Sequence, residues 1–441
     1  MKYSIVTFGC RVNQADSLEV EEQLLAAGGF PSSPDCADVV VVNTCSVTAT
    51  SDQGARQTIR RIARQNPAAQ IVVTGCYATR APNDLSGLPG VVGVVPNEKK
   101  PGVASAVLWW HARGERSENP STAVTTAERF GAGEGSCGAA IEPGLAGRTA
   151  FTLRIQTGCD EPCAYCIIPT TRGPGHSRPV DAVLADVDRI VRAGFREIAL
   201  TGVHLGSYGR DLPGSDALDL TGCLRRLDSR FQDVRFRISS LEPMDCTPVL
   251  VDLVAESDRF AEHFHLPLQH ASDDVLHAMR RPYRLDSYRR LVDDIRDRMP
   301  NAAIGSDIIV GFPGETDRDA ELLIRYLRDS PLTYLHVFPY SDRPGTAAAA
   351  LPKKVPGAAI RARADDVRRI GSMLSSRFKQ NQVGTVHRGL TIDDGSVAVT
   401  GNYLKVRIPP GRTRNEWVIV RVTEAGETMR GEIVPGMRNE E

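Results

Sequence analysis

Three short runs rich in β-branched residues, Tyr3-Ser4-Ile5-Val6-Thr7-Phe8-Gly9, Val39-Val40-Val41-Val42-Asn43-Thr44 and Ile71-Val72-Val73-Thr74-Gly75, are each followed at once by a cysteine: Cys10, Cys45 and Cys76. Strands are read at 3 to 8, 38 to 44 and 70 to 75, with helices at 14 to 27, closed by Gly28-Gly29, and at 51 to 65. Alternation of this kind predicts parallel strands with helices packed on them. All strands of such a sheet end on the same side, and ligand crevices open just beyond those ends. Three cysteines far apart in sequence are therefore expected to meet at one sheet edge.

A second trio is compact. Cys159-Asp160-Glu161-Pro162-Cys163-Ala164-Tyr165-Cys166 reads C-x3-C-x2-C. Each trio lacks a fourth thiolate, and a four-iron cluster held by three leaves one iron open to a substrate, a cofactor or an exogenous sulfur. Three close cysteines could instead hold structural zinc, but the closing ligand would have to be His176 or something farther away. A disulfide framework suits a chain of 441 residues poorly, since a core of this size needs no staples. The dispersed trio could also be small buried hydrophobes, a reading that its convergence on one edge weakens. Cys36, Cys137, Cys223 and Cys246 show no ligand spacing and are read as ordinary thiols.

The hydrophobic fraction of 41% and charged fraction of 24% are those of a globular protein rather than a disordered one. The N-terminus has no signal-peptide pattern and no apolar run is long enough for a membrane span, so a cytoplasmic protein is expected. A net charge of -1 excludes a globally basic nucleic-acid binder. Local clusters remain: Lys405, Arg407, Arg412, Arg414 and Arg421 face the single acid Glu416, and further groups are Arg280, Arg281, Arg284, Arg289, Arg290 and Arg56, Arg60, Arg61, Arg64. Such clusters are phosphate sites less often than solvated faces.

Punctuation divides the chain into residues 1–110, a linker or long loop at 111–147, a segment 148–374 and a tail 375–441. The third part alternates again, with strands read at Phe151 to Thr157, Glu197 to Thr201, Arg235 to Ser239, His263 to Leu268, Ile304 to Val310 and Tyr334 to Phe338. Six βα units predict an open, partial version of a parallel barrel, with the compact cysteine motif in its first loop. The tail shows short alternating strands, Thr385 to Thr391, Ser396 to Thr400 and Tyr403 to Ile408, and reads as a small β-barrel.

The stretch Gly158-Cys159-Asp160-Glu161-Pro162-Cys163-Ala164-Tyr165-Cys166-Ile167-Ile168-Pro169, at the end of a first barrel strand, resembles the radical S-adenosylmethionine (SAM) enzymes. With three dispersed N-terminal cysteines and a terminal β-barrel, the chain is similar to the radical methylthiotransferases. Leu200-Thr201-Gly202-Val203-His204, Arg237-Ile238-Ser239-Ser240-Leu241-Glu242-Pro243, His265-Leu266-Pro267-Leu268-Gln269-His270 and Asp307-Ile308-Ile309-Val310-Gly311-Phe312-Pro313-Gly314-Glu315 carry the same likeness. Gly9-Cys10-Arg11-Val12-Asn13-Gln14, His336-Val337-Phe338-Pro339-Tyr340-Ser341 and Gly401-Asn402-Tyr403-Leu404-Lys405-Val406 resemble the branch acting on N6-threonylcarbamoyladenosine 37 of tRNA, more than those acting on isopentenyladenosine 37 or on a ribosomal-protein side chain. Two features depart from the pattern: a long linker carrying Cys137, and His270 where a serine often follows the glutamine.

The resemblance implies two 4Fe-4S clusters, one on Cys159, Cys163 and Cys166 that binds and cleaves SAM, the other a sulfur carrier on Cys10, Cys45 and Cys76. It implies a 2-methylthio product on tRNA and a low-potential electron donor of flavodoxin or ferredoxin type. Gly202, Gly311 and Gly314 would let the backbone approach the cofactor, although barrel turns alone could require them, and Glu242 and Gln269 at strand ends would offer polar contacts, although such groups are also common on surfaces. The tail resembles the TRAM RNA-binding module. In it Lys405, Arg407, Arg412 and Arg414 would contact phosphates, and Tyr403 and Trp417 would serve either as stacking platforms or as core.

Overall fold

The computed structural model describes residues 1–113, 149–214 and 218–435. Its first unit is a five-stranded parallel sheet of β1 (Lys2–Thr7), β2 (Phe30–Pro31), β3 (Val39–Thr44), β4 (Gln70–Gly75) and β5 (Val91–Val95), in the order β2-β1-β3-β4-β5. β3 is buried along its whole length, as a central parallel strand covered on both faces must be. Helices α1 (Arg11–Ala26) and α2 (Ala49–Gln65) take up the connections. α2 starts at Thr48, whose side chain accepts from the Ser51 N–H, and buries Ala55, Ile59 and Ile62 at helical spacing. The sequence reading missed β2 and β5, which are a two-residue edge strand and a run broken by Gly93.

The second unit contains two three-stranded parallel sheets, β6 (Phe151–Arg154), β9 (Glu197–Thr201) and β10 (Arg235–Ile238), then β11 (His263–His265), β12 (Ala303–Val310) and β13 (Tyr334–Pro339). A parallel bridge between Phe236 and Phe260 and the Leu241 N–H to His265 carbonyl bond join them into one open arc. This is the partial six-stranded barrel. A small antiparallel pair, β7 (Gln156–Thr157) and β8 (His176–Ser177), folds the cysteine loop back. Along the arc, Ile198, Leu200, Phe236, Ile238, Phe264, Ile304 and Ile308 pack into the main core with the surrounding helices. The alternate residues, including Arg237, His263, His265, Asp307, Tyr334 and His336, therefore face the lumen.

The third unit is a closed five-stranded barrel, β14 (Val386–Ile392), β15 (Val397–Thr400), β16 (Lys405–Arg407), β17 (Trp417–Glu424) and β18 (Met429–Ile433), around Ala398, Val406, Val418, Val420 and Val422. The helix Gly357–Asn381 packs on β13 and runs through residues 374 and 375, where the sequence reading put a junction, so the small barrel starts only after Asn381. At the other expected junction, the helix Val103–Arg113 runs into the segment read as starting at 111. The rest of that segment, with Cys137, lies outside the described residues. Tyr3, Ile5, Leu18 and Leu24 belong to the same core as Phe151, Leu153 and Val187, so the first two units share one apolar interior. No helix among the described residues is long and apolar enough to cross a membrane.

Candidate active site

β1, β3 and β4 are neighbours in the sheet, so the segments after them leave the same edge side by side, carrying Cys10, Cys45 and Cys76. Two glycines make the convergence sterically possible. A Cβ on Gly9 (φ +93°) would sit 2.6 Å from the Cys45 Cβ, and one on Gly75 (φ +97°) would sit 2.3 Å from the Thr44 carbonyl oxygen. Cys45 and Cys76 are buried and Cys10 is exposed. Burial pushes the Cys45 thiol up to about 12, with Cys10 and Cys76 adding to the shift.

The compact trio lies in the loop after the first barrel strand. Burial pushes Cys166 up to about 12, reinforced by Cys163 and Cys159, and burial raises Cys163 against the opposing pull of Arg281. Arg281 donates to the Cys163 sulfur at 3.0 Å and is ion-paired to Glu242. The His204 ring nitrogen Nδ1 stands 3.8 Å from the Cys159 sulfur, and Nε2 stands 2.6 Å from Asp245. Burial alone would lower the pKa of His204, but Asp245 and Cys159 raise it to about 10.

A polar hub connects the two trios. The short helix Ile168–Arg172, directly after Cys166, packs on the Cys76–Arg80 helix. From it Arg172 donates to Asn13 Oδ1 at 2.5 Å and to Asp16 Oδ2 at 2.9 Å. Asp16 is fully buried and receives Lys100 at 2.6 Å as well as Arg154. Burial would raise its pKa, and these cations hold it well below the usual carboxylate range instead. Asn97 donates to the Cys76 sulfur at 3.6 Å and to the Thr171 carbonyl at 2.8 Å, so it touches both sites. Buried arginine near thiols offsets the charge of a metal-thiolate group.

All nine described cysteines are free. A tetrahedral zinc would bring its sulfurs to about 3.8 Å from one another, given bonds of about 2.3 Å. Among the described residues the one group of three such side chains with ligand atoms within 4.8 Å is His265, Asp307 and His336. His176, the candidate closing ligand for zinc, is exposed and paired with Asp211. Three-thiol sites spaced more widely, with an adjacent cation each, fit a polynuclear cluster. Thiols whose pKa burial has raised so far become thiolates when a metal displaces the proton.

The other expected contacts divide. Glu242 sits at the cysteine loop through Arg281. Gln269 is buried at φ +66°, its backbone bridged to Ile308, and so lies at the carboxyl end of the arc. At Gly202 an added Cβ would meet the Gln156 side chain at 2.9 Å, and at Gly311 it would meet Ile360 at 2.4 Å. At both positions the missing Cβ leaves room for one of the protein's own side chains. In the small barrel Lys405 and Arg407 are exposed, whereas Arg412 pairs with Glu416 at 2.7 Å and Arg414 donates to the Asp393 carbonyl at 2.6 Å. The guanidiniums of Arg235 and Arg388 lie 5.1 and 3.9 Å from the Trp417 ring, and Tyr403 leans on Arg237 and His263. Neither belongs to the apolar core of the small barrel.

The sequence reading named no residue of the hub, nor His204, Asp245 and Arg281 as site residues. Their only local signal is nearness to the cysteines: Asn13 and Asp16 lie on the first turns after Cys10, and Arg172 follows Cys166 by six residues.

An open six-stranded arc with three thiols in its first loop defines the radical SAM class, and residues 153–327 match the radical SAM superfamily. Residues 2–95 match the uncharacterized protein family UPF0004. A threonylcarbamoyladenosine tRNA methylthiotransferase of Bacillus subtilis is 36% identical over 352 residues, 79% of this chain and 75% of that protein. Its counterpart in Rickettsia prowazekii is 32% identical over 92% of this chain and 91% of that protein. The chain belongs to the radical SAM methylthiotransferase family and is an enzyme of that class. Among solved structures, the radical SAM methyltransferase TsrM of Kitasatospora setae has a TM-score of 0.54 at 16% identity, covering 79% of this chain and 74% of that one, which is likeness of fold alone.

Proposed function

We propose that this enzyme places a methylthio group on C2 of N6-threonylcarbamoyladenosine 37 in tRNA. The observation that carries the reading is the pair of three-thiol sites tied together by Arg172, Asp16 and Asn97 beside one barrel lumen. The likeness to relatives named for that reaction supports it. Cys159, Cys163 and Cys166 would hold a 4Fe-4S cluster and with it SAM; Cys10, Cys45 and Cys76 would hold a second. When bound, these groups supply one-electron chemistry at an inert C–H bond, together with the sulfur and methyl group that replace the hydrogen.

The chain's own residues bind, orient and exclude water. Arg281 neutralises charge at Cys163 and fixes Glu242 at the loop, where the carboxylate can meet a cofactor amine. His204, kept protonated by Asp245, offers Nδ1–H to the Cys159 sulfur. Arg172, held protonated by Asp16 and by Cys76 and Cys10 in spite of burial, brings a positive charge to the dispersed trio. Gln269, at the carboxyl end of the arc, would contact the cofactor with its backbone or amide. Lys405 and Arg407 would track tRNA phosphates. Electrons would come one at a time from a flavodoxin- or ferredoxin-type donor in the cytoplasm.

The test has two arms. Nucleosides of tRNA from cells lacking this gene should lose the 2-methylthio form of threonylcarbamoyladenosine; loss of the isopentenyladenosine derivative or of a ribosomal-protein modification instead would overturn the substrate. Anaerobically reconstituted protein should carry about eight irons. A Cys10→Ala, Cys45→Ala, Cys76→Ala variant should keep about half of them and still cleave SAM, yet insert no sulfur.

A further inference from the structure

Arg11 is a cation left over beside the lumen. It follows Cys10 directly and reaches the Tyr403 hydroxyl of the small barrel at 3.2 Å. Through that contact it borders the ring group inside the arc: Tyr403 lies against His263, and Tyr334 stacks on His263 and His265 at 5.9 and 6.0 Å. The charge on Arg11 is felt at both His263 and Tyr334. The buried cations near the two trios already have their anions. Arg172 and Lys100 share Asp16, Arg237 holds Glu197, and Arg281 holds Glu242. Arg11 makes no ion pair among the described residues, and one hydroxyl occupies only one of its five N–H donors.

A flat ring group in the lumen, bordered through Tyr403 by Arg11, the residue after Cys10, suits a purine. Asp307, 3.1 Å from His265 Nε2 and 25% exposed, offers an acceptor beside the rings. What remains to be matched is the unpaired guanidinium. On the substrate proposed above, the arm on N6 ends in a threonyl carboxylate, and C6, which bears N6, and C2 flank the same ring nitrogen N1. A base presenting C2 towards Cys10 thus carries its carboxylate on a short tether near the residue next to Cys10. Planar guanidinium and carboxylate match as a two-point, charge-assisted pair. An isopentenyl arm has no such group.

We infer that Arg11 reads the carboxylate of the threonylcarbamoyl arm and thereby selects this base; the inference rests on the proposed substrate. Two anticodon stem-loop RNAs decide it, one with threonylcarbamoyladenosine at position 37 and one whose threonyl carboxylate is capped as the neutral methyl amide. The wild-type enzyme should favour the free acid by about 10- to 100-fold in kcat/KM, mostly through KM. Arg11→Leu should bring that ratio close to one, and Arg11→Lys should restore part of it. Because the ratio is taken within one preparation, any damage to a cluster cancels. A wild-type enzyme that modifies both RNAs equally, or an Arg11→Leu variant that keeps the preference, overturns the role of Arg11 and leaves the substrate standing. A wild-type enzyme that modifies neither overturns the substrate and this inference with it.

Discussion

Gly9 and Gly75 show how much of the dispersed site rests on single backbone positions. Both have positive φ and both lie where a Cβ would strike the next strand's exit: Cys45 in one case and Thr44 in the other. Alanine at Gly75 adds left-handed strain of about 1–3 kcal/mol to a backbone collision of similar cost. Gly75→Ala is therefore expected to lower stability by roughly 2–5 kcal/mol and to lose about half of the bound iron. Gly314, also at positive φ but with nothing within 4 Å, is the control. Gly314→Ala should cost about 1 kcal/mol and leave iron unchanged, as read by thermal melting and iron assay. Equal effects at the two positions would show that crowding at the cysteines is irrelevant.

At the scale of the element, β9 and β10 clamp the small barrel through one buried carboxylate. Glu197 receives Arg235 at 2.7 Å and Arg237 at 3.2 Å; the two guanidiniums in turn donate to the carbonyls of Arg388, Val399, Thr400 and Gly401. Burial alone would raise the Glu197 pKa, but the arginines outweigh it and lower the value to about 2, from an ordinary 4.5. A depressed folded-state pKa means that the contribution is fully present above pH 4.5 and fades as the pH falls towards 2. Removing the charge leaves two buried cations without an anion, a loss of about 3–5 kcal/mol. Glu197→Gln should accordingly expose the connection between the Gly357–Asn381 helix and β14 to protease at neutral pH. In melts of the metal-free chain, the wild type should lose its advantage over the variant between pH 4.5 and 2. A variant as protected as the wild type would remove Glu197 from the clamp.

On the scale of the whole molecule, three units surround one lumen: the first shares its core with the second, and the third is pinned by Arg235 and Arg237. The exposed pair Lys405 and Arg407 then lies on the outer face of the small barrel, alternating with buried Val406. Replacing both by Ala should raise the KM for tRNA and flatten the salt dependence of binding by about one to two units in the log-log slope. Arg412 and Arg414 are already engaged within the barrel, so their alanine variants should change the slope less. A slope that stays the same in the Lys405, Arg407 variant would take the barrel out of RNA contact.

The sequence by itself determined the strand-helix alternation, the cysteine at the end of each β-branched run, the thiol motif in the first barrel loop and the small terminal barrel. These follow from short-range physics: χ1 restriction, two- and 3.6-residue periodicity, and glycine where φ is positive. Only the tertiary structure decided what surrounds the thiols. Asp16 meets Arg172 across 156 residues and Asn97 meets Thr171 across 74, pairings set by docking between units rather than by local preference. For the same reason the missing Cβ of Gly311 makes room for Ile360, and the Trp417 ring meets the guanidiniums of Arg235 and Arg388. A glycine or an aromatic in sequence carries a conformational or apolar preference. Which neighbour uses it is fixed when the units pack.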